Sequence, residues 1–148
     1  MTNNDTEELL KRLIDVAKDY SATTGRILPI HGEIGELAAE ATCNVARHRP
    51  GASGSDGKIG NEFVEIKTIT PKKKKSRVRA KRKGNFSKLI VVKIETDFSW
   101  QVRMIDRRNL KLGKGKFVTV SWNSLQPLET NDNRLIQRTS WQSPEHSK

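Results

Sequence analysis

The chain has 148 residues, a length that favours one domain, and its 28 Lys and Arg residues against 17 Asp and Glu residues give a net charge of +11. Such a charge points to a polyanionic partner, first of all nucleic acid. A single Cys excludes a disulfide framework and a Cys-rich zinc module. No apolar run approaches the about 20 residues that span a bilayer, and the first residues lack a signal-peptide pattern, so we expect a cytoplasmic protein with no membrane partner.

Two helices are predicted in the first part of the chain. Residues 5–20 place apolar side chains at a period of about 3.6 residues, and Asp5 or Thr6 can cap their start. A second apolar stripe predicts a helix from about His31 to Arg47. The stripes consist of Leu9, Leu10, Leu13, Ile14 and Ala17 in the first helix, and of Ile34, Leu37, Ala38, Ala41 and Val45 in the second.

Several strands are predicted downstream of the helices. Residues 63–69 alternate between two faces and follow a Gly-rich turn, which indicates a strand in a hairpin. Residues 89–94 form the most apolar run and predict a central strand, with residues 100–105 as its hairpin partner. Residues 117–122 predict one more strand, although 121–128 could instead be helical. Two helices followed by several strands predict an α/β (α+β) fold with a small mixed sheet flanked by helices.

The positive charge is concentrated in residues 72–83, which we call the basic segment. Nine of these twelve residues are basic and none is acidic, so they carry +9 of the net +11 and leave +2 for the rest of the chain. Because such a run repels itself, and because Pro71 and Gly84-Asn85 are turn signals at its ends, we expect a mobile loop. Its cations would bind nucleic-acid phosphates; a solubilising loop or a localisation signal is the alternative. They are Lys72, Lys73, Lys74, Lys75, Arg77, Arg79, Lys81, Arg82 and Lys83.

The acidic residues suggest a reactive site. Six of the 17 acids lie between residues 33 and 65, namely Glu33, Glu36, Glu40, Asp56, Glu62 and Glu65. The first three share one helix face, while Glu65 and Lys67 project from the same face of a strand. Asp56 lies nine residues before Glu65, in a turn that a hairpin could fold back beside it.

This set of residues suits the hydrolysis of a phosphodiester. Mg²⁺, with Mn²⁺ able to substitute, takes oxygen ligands, and Asp56 and Glu65 can supply two carboxylates. The backbone carbonyl of Ile66 is near enough in sequence to be a third ligand. The metal would polarise the phosphate and provide a hydroxide-like nucleophile, and Lys67 would stabilise the developing negative charge or orient the attacking water.

A helical Glu, an Asp after a Gly- and Ser-rich stretch and a Glu-x-Lys in a strand resemble the PD-(D/E)xK nuclease superfamily. That superfamily includes type II restriction endonucleases and archaeal Holliday junction resolvases. The matching stretches are residues 32–36, 54–57 and 64–68, and Ser55 stands where the family name has Pro. The resemblance implies metal binding by Asp56 and Glu65, a catalytic Lys67 and Glu36 as the helical carboxylate.

The resemblance also implies an architecture and a reaction. Residues 1–130 would form a single nuclease domain with a restriction endonuclease-like core, a mixed sheet of about four to five strands, and a basic DNA-binding loop at 71–85. Residues 131–148 would form a polar tail. The activity would be that of a Mg²⁺-dependent DNA endonuclease. Because cutting two strands usually needs two active sites, we also expect a homodimer.

Several alternatives stay open at the level of sequence. Asp56 could be a simple turn residue, Glu65 and Lys67 could form a surface ion pair, and Glu33 could replace Glu36. His31 and His48 are assigned capping or surface roles, because nothing pairs with them in sequence. The substrate could be a Holliday junction, or the protein could bind nucleic acid without cutting it, either on the same fold or as a ribosome-associated, RNA-chaperone-like protein. The sequence does not distinguish DNA from RNA.

Overall fold

The computed structural model describes residues 3–128 except residues 53 and 112. This part of the chain contains two α-helices, seven β-strands and two short 3₁₀ turns. The predicted polar tail at 131–148 lies outside it. The helices are α1 (Asn3–Thr24) and α2 (His31–Cys43), and the strands are β1 (Ala46–Arg47), β2 (Gly57–Ile59), β3 (Glu62–Ile69), β4 (Arg77–Lys81), β5 (Lys88–Ile94), β6 (Trp100–Asp106) and β7 (Phe117–Ser121).

The main sheet is mixed and has five strands in the order β1-β2-β3-β5-β6. Strands β3 and β5 run parallel, and each of the other neighbouring pairs is antiparallel. Strands β4 and β7 form a separate antiparallel pair, which we call the ribbon. The predicted α/β class and mixed sheet are thus confirmed, as are the hairpin before residues 63–69 and the β5–β6 hairpin.

The main sheet separates two apolar cores. Val64 and Ile66 of β3 pack with Ile90 and Val92 of β5 against the helices. Alternate residues of the same strands, such as Ile69 and Leu89, pack against the inner face of the ribbon. Because strand side chains alternate, Glu65 and Lys67 share the ribbon side of the sheet with Ile69. The helices therefore cover one face, and the ribbon covers the other.

The second helix ends earlier than the sequence predicts. It was expected to reach Arg47 but ends at Cys43. Asn44 follows with φ 57° in the left-handed region, and its N–H donates to the carbonyl of Glu40, which terminates the helix. Residues 46–47 then form β1 against β2. The predicted first helix is confirmed and extends beyond 5–20 at both ends. Neither helix of the described residues is long and apolar enough to cross a membrane.

The predicted loop at 71–85 contains a strand. Within the basic segment, Val78 and Ala80 alternate with Arg77, Arg79 and Lys81, and both apolar side chains are buried. The alternation lets one face of β4 pack on the second core while its cations stay in solvent, so self-repulsion does not prevent folding. The predicted strand at 117–122 is confirmed as β7, which pairs with β4. The alternative of a helix at residues 121–128 is wrong, because these residues contain only a single 3₁₀ turn at Trp122–Ser124.

Gly35 is the point at which α2 touches β3. A Cβ atom added at Gly35 would lie 2.0 Å from Oγ1 and 3.1 Å from Cβ of Thr68. The missing side chain therefore lets the helix lie directly against the strand that carries Glu65 and Lys67.

We expect Gly35→Ala to lower the free energy of unfolding by about 1–3 kcal/mol, the usual cost of overpacking a core. Denaturant unfolding followed by tryptophan fluorescence measures this change. Adding Thr68→Ala removes Oγ1 from the contact and should recover part of the loss. Gly32→Ala is the matched control, because a Cβ at that position of the same helix meets nothing within 4 Å. Equal losses at the two glycines would contradict the packing argument.

Candidate active site

Asp56 lies immediately before β2 and is fixed by three hydrogen bonds to backbone groups. Its own N–H donates to the carbonyl of Val64 over 2.9 Å, and its carbonyl accepts from the N–H of His48 over 3.0 Å. Its carboxylate Oδ2 accepts from the N–H of Ile66 over 2.7 Å. Strand β2 starts one residue later, so the Asp56 side chain takes the place of a strand partner for β3. Asp56 is therefore held beside Glu65, rather than being a free turn residue.

The carboxyl groups of Asp56 and Glu65 converge. Burial raises the pKa of Glu65 to about 7, and the hydrogen bond with Asp56 and the negative charge of Asp56 add to this effect. Lys67 and Lys81 lie near enough to oppose the rise through their positive charges. Two carboxyls in such contact favour a shared proton or a bound cation. The structure thus brings together two of the predicted metal ligands.

Lys67 links these carboxyls to the basic segment. It projects from the same face of β3 as Glu65, two residues further along the strand. It also lines a cleft of about 520 Å³, which we call the proximal cleft. The cationic residues that line this cleft with it are Lys73, Lys74, Lys75, Arg77 and Arg79. The predicted catalytic lysine therefore faces both the acid pair and the predicted phosphate-binding cations.

Of the acids on α2, Glu36 interacts electrostatically with Asp56. Burial raises the pKa of Glu36, and the negative charges of Glu33, Asp56 and Glu40 raise it further, whereas Arg47 lowers it. Glu33 and Glu40 lie 3.9 Å and 2.8 Å from guanidinium nitrogens of Arg47. The geometry favours Glu36 over Glu33 as the helical carboxylate of the site.

Both histidines are half-buried and have partners that the sequence did not indicate. Nε2 of His48 lies 3.0 Å from Oγ of Ser55, a buried residue next to Asp56. His48 thus helps to hold the Asp56 turn, a role that only the β1–β2 pairing reveals. The ring of His31 stacks on Phe98 with 5.2 Å between centroids. Burial lowers the pKa of His31, and the charge of Lys72 lowers it further.

The residues of the basic segment line three different clefts. Lys81, Arg82 and Lys83 line a second cleft of about 460 Å³, the distal cleft, together with Gly115, Lys116 and Phe117. Nε of Arg82 donates to the carbonyl of Gly115 over 2.6 Å. Arg82 was predicted to bind nucleic acid, but this nitrogen makes a hydrogen bond within the protein instead. Lys72 lines another cleft with His31 and Phe98.

The donor set of the site suits a hard divalent cation. The described residues contain no group of three or more His, Cys, Asp or Glu side chains that could hold a metal ion. Asp56 and Glu65 offer two carboxylates, and Mg²⁺ is commonly held by one or two, with water and substrate phosphate completing its ligands. The convergence of two carboxyls, one with a raised pKa, is relieved by a bound cation. The residues present therefore fit Mg²⁺, and the Ile66 carbonyl as a third ligand stays a prediction.

Neither protein-family models nor curated proteins match this chain. The resemblance of residues 32–68 to the PD-(D/E)xK nucleases therefore stays a prediction from those residues. The function has to be inferred from the site's own chemistry.

The contact between Asp56 and Glu65 predicts a pH effect on stability that needs no metal. The pKa of Glu65 is raised from 4.5 to about 7 in the folded chain, so folded Glu65 holds a proton that the unfolded chain has lost. Its contribution to stability is fully present below about pH 4.5 and is lost as the pH rises through about 7. In EDTA, we therefore compare the free energies of unfolding of Glu65→Gln and the native chain. We expect the value for Glu65→Gln minus the value for the native chain to increase as the pH rises from about 4.5 to about 7.

Urea unfolding at several pH values measures this difference. Glu95→Gln is the control, because Glu95 is an exposed acid at the end of β5. A difference between the native chain and Glu65→Gln that does not change with pH would contradict the contact between the two carboxyls.

Proposed function

We propose that this chain is a Mg²⁺-dependent DNA endonuclease that hydrolyses phosphodiester bonds. The observation that carries the proposal is the convergence of Asp56 and Glu65 beside Lys67, at the edge of a cleft lined by five further cations. An acid pair alone would suit many cations, and a basic cleft alone would suit any polyanion. Lys67 lies next to both features, so the site can hold a metal ion and a phosphate side by side, as the hydrolysis of a phosphodiester requires.

The residues have distinct roles in this proposal. Asp56 and Glu65 would hold the metal, and the backbone N–H of Ile66 fixes the orientation of Asp56. When bound, Mg²⁺ would supply a Lewis acid for the phosphate and a water of lowered pKa. The ammonium of Lys67 stabilises the negative charge that develops on the scissile phosphate. Glu36 adds a negative charge on the helix side of the site, where it could orient a water.

Lys73, Lys74, Lys75 and Arg77 of the proximal cleft hold the phosphates that flank the scissile one. They lie on the same side of the sheet as Glu65 and Lys67, so one nucleic-acid backbone can reach both. The shared proton of the acid pair must leave before a metal binds, because metal ligands must be deprotonated. At low Mg²⁺, cleavage is therefore expected to increase as the pH rises through the raised pKa of Glu65.

Incubation of the chain with supercoiled plasmid tests the proposal. We expect nicked and linear products in Mg²⁺ or Mn²⁺ and none in EDTA. A synthetic four-way junction in the same assay distinguishes a structure-specific resolvase from a duplex endonuclease. Binding without cleavage in either metal would overturn the proposal and favour a non-catalytic nucleic-acid-binding protein. The predicted homodimer is a separate question, which size-exclusion chromatography with light scattering would answer.

A further inference from the structure

We propose that the ribbon of β4 and β7 enters the major groove of double-stranded DNA with its outer face against the base edges. The inference rests on the proposed function in taking DNA as the ligand. It goes beyond that function because it names the form of DNA, the groove and a base-contacting residue. Asp56, Glu65 and Lys67 are not part of this surface.

The ribbon has one buried and one open face. Its two strands pair over five residues each, from Arg77 opposite Ser121 to Lys81 opposite Phe117. The inner side chains, Val78, Ala80, Val118 and Val120, are each at most 4% exposed and pack on the second core. The outer side chains are all exposed: Arg77, Arg79, Lys81, Phe117, Thr119 and Ser121. The major groove of B-DNA is wide enough to admit a two-stranded ribbon.

The outer face has the chemistry of a base-reading surface. It contains three cations, two hydroxyls and an aromatic ring that is 42% exposed, and no acid. The guanidinium carbon of Arg79 lies 4.2 Å from the centre of the Phe117 ring. This contact restrains a side chain that would otherwise lose much rotamer freedom on binding. A restrained guanidinium can donate two parallel hydrogen bonds to O6 and N7 of guanine.

The ends of the ribbon are placed to hold the two backbones of one duplex. The proximal cleft lies at the Arg77 end and reaches Arg79, and the distal cleft adjoins the Lys81 end. Four residue steps of about 3.4 Å separate these ends, a span of about 14 Å, which is close to the about 12 Å width of the major groove. Cations at both ends can therefore contact both bordering phosphate backbones while Arg79 and Thr119 face the bases.

The distal cleft is part of the folded structure. The N–H of Arg82 donates to the carbonyl of Lys116 over 2.8 Å, and its Nε donates to the carbonyl of Gly115. The guanidinium of Arg107 donates to the carbonyls of Arg82 and Gly84 from the other side. The turn after β4 is therefore held by hydrogen bonds to two separate segments, so the backbone that carries Lys83 has a defined position. Because Lys67 lines the proximal cleft and the charge of Lys81 acts on Glu65, a duplex seated on the ribbon would lie beside the proposed site.

Binding in EDTA, measured by fluorescence anisotropy, tests the groove assignment without any cleavage. The probes share one sequence: unmodified duplex DNA, duplex DNA whose cytosines carry glucosylated 5-hydroxymethyl groups, and duplex RNA. The glucose fills the major groove without changing the backbone charge, and the major groove of A-form RNA is too deep and narrow to be read. We expect at least about tenfold weaker binding to both modified DNA and RNA, and no competition from a minor-groove ligand. Equal affinity for all three probes would overturn the inference.

Arg79→Lys tests the contact of the guanidinium with the bases. The change keeps the positive charge but removes the two-pronged donor, so a base contact predicts about 5- to 150-fold weaker binding to a guanine-containing duplex and an unchanged salt dependence. Replacing guanine by 7-deazaguanine should weaken the native chain and leave Arg79→Lys unaffected. Arg108→Lys is the matched control, because Arg108 is an exposed arginine outside the ribbon. Native affinity in Arg79→Lys would overturn the base contact.

The two proposals can fail separately. A chain that cleaves plasmid but binds glucosylated DNA normally would refute the ribbon inference alone. A chain that discriminates between the grooves but never cleaves would refute the endonuclease alone.

Discussion

Lys67→Ala is expected to lower the rate of DNA cleavage by at least about 10²–10³-fold, the usual effect of removing one group that stabilises transition-state charge. Affinity for duplex DNA in EDTA should change little, because only one of several cations in the proximal cleft is lost. Single-turnover cleavage in saturating Mg²⁺ measures the chemical step, and anisotropy measures the binding. The separation of the two effects would assign Lys67 to chemistry rather than to docking.

A matched control lies on the neighbouring strand. Lys93 of β5 pairs with Ile69 of β3, but its Nζ lies 3.7 Å from Glu95 and 5.9 Å from the centre of the Trp122 ring. Lys93→Ala should therefore cleave at the native rate. Native cleavage by Lys67→Ala would remove the lysine from the mechanism.

The carboxylates can be tested with the fold preserved. Asp56→Asn keeps a side-chain oxygen that can accept from the N–H of Ile66 but removes the negative charge. We expect it to abolish cleavage and to weaken Mn²⁺ binding, measured by calorimetry, while thermal unfolding stays cooperative. Retained cleavage with weakened metal binding would contradict the metal-site assignment.

The second large effect concerns salt. If about six to ten phosphates are contacted, duplex affinity is expected to fall by about 10³–10⁵-fold between about 50 mM and about 200 mM salt, because each neutralised phosphate releases a counterion. Replacing Lys73, Lys74 and Lys75 together by Gln should reduce the slope of log affinity against log salt by about 0.9 for each lost contact. Anisotropy titrations over a series of salt concentrations measure both quantities.

The control for this experiment removes the same charge from the other side of the molecule. Lys11, Arg12 and Lys18 lie on α1, which packs on the face of the sheet opposite the ribbon. Their joint replacement by Gln should leave the slope unchanged. Equal loss from the two triple variants would mean that net charge, rather than the proximal cleft, determines the affinity.

The sequence alone determined the features that depend on neighbouring residues. The alternation at 63–69 predicted β3 and placed Glu65 and Lys67 on one face of it, and the apolar run at 89–94 predicted β5 and its hairpin with β6. Helical periodicity likewise predicted most of α1 and all of α2, although the predicted second helix ran four residues too far. These patterns arise from a repeat within one element, so the chain needs no distant contact to display them.

Local signals failed where a distant partner decided the outcome. Val78 and Ala80 already alternate with cations in the sequence, but pairing with β7 and burial against Ile69 and Leu89 make that stretch a strand. On a helical wheel, Glu36 lies opposite the apolar stripe of α2, yet the close contact of Gly35 with β3 positions the helix so that Glu36 interacts with Asp56. Neither contact is visible within a window of a few residues.

The closeness of Asp56 and Glu65 also depends on tertiary structure. The spacing of the two acids allowed a hairpin to bring them together, but it did not exclude an ordinary turn. The β2–β3 register and the hydrogen bond from Ile66 bring the carboxyls into contact, and the ribbon on that side of the sheet brings Lys81 near them. The residue types determine which chemical groups are present. Whether these groups come together depends on hydrogen bonds and packing between segments that are far apart in the chain.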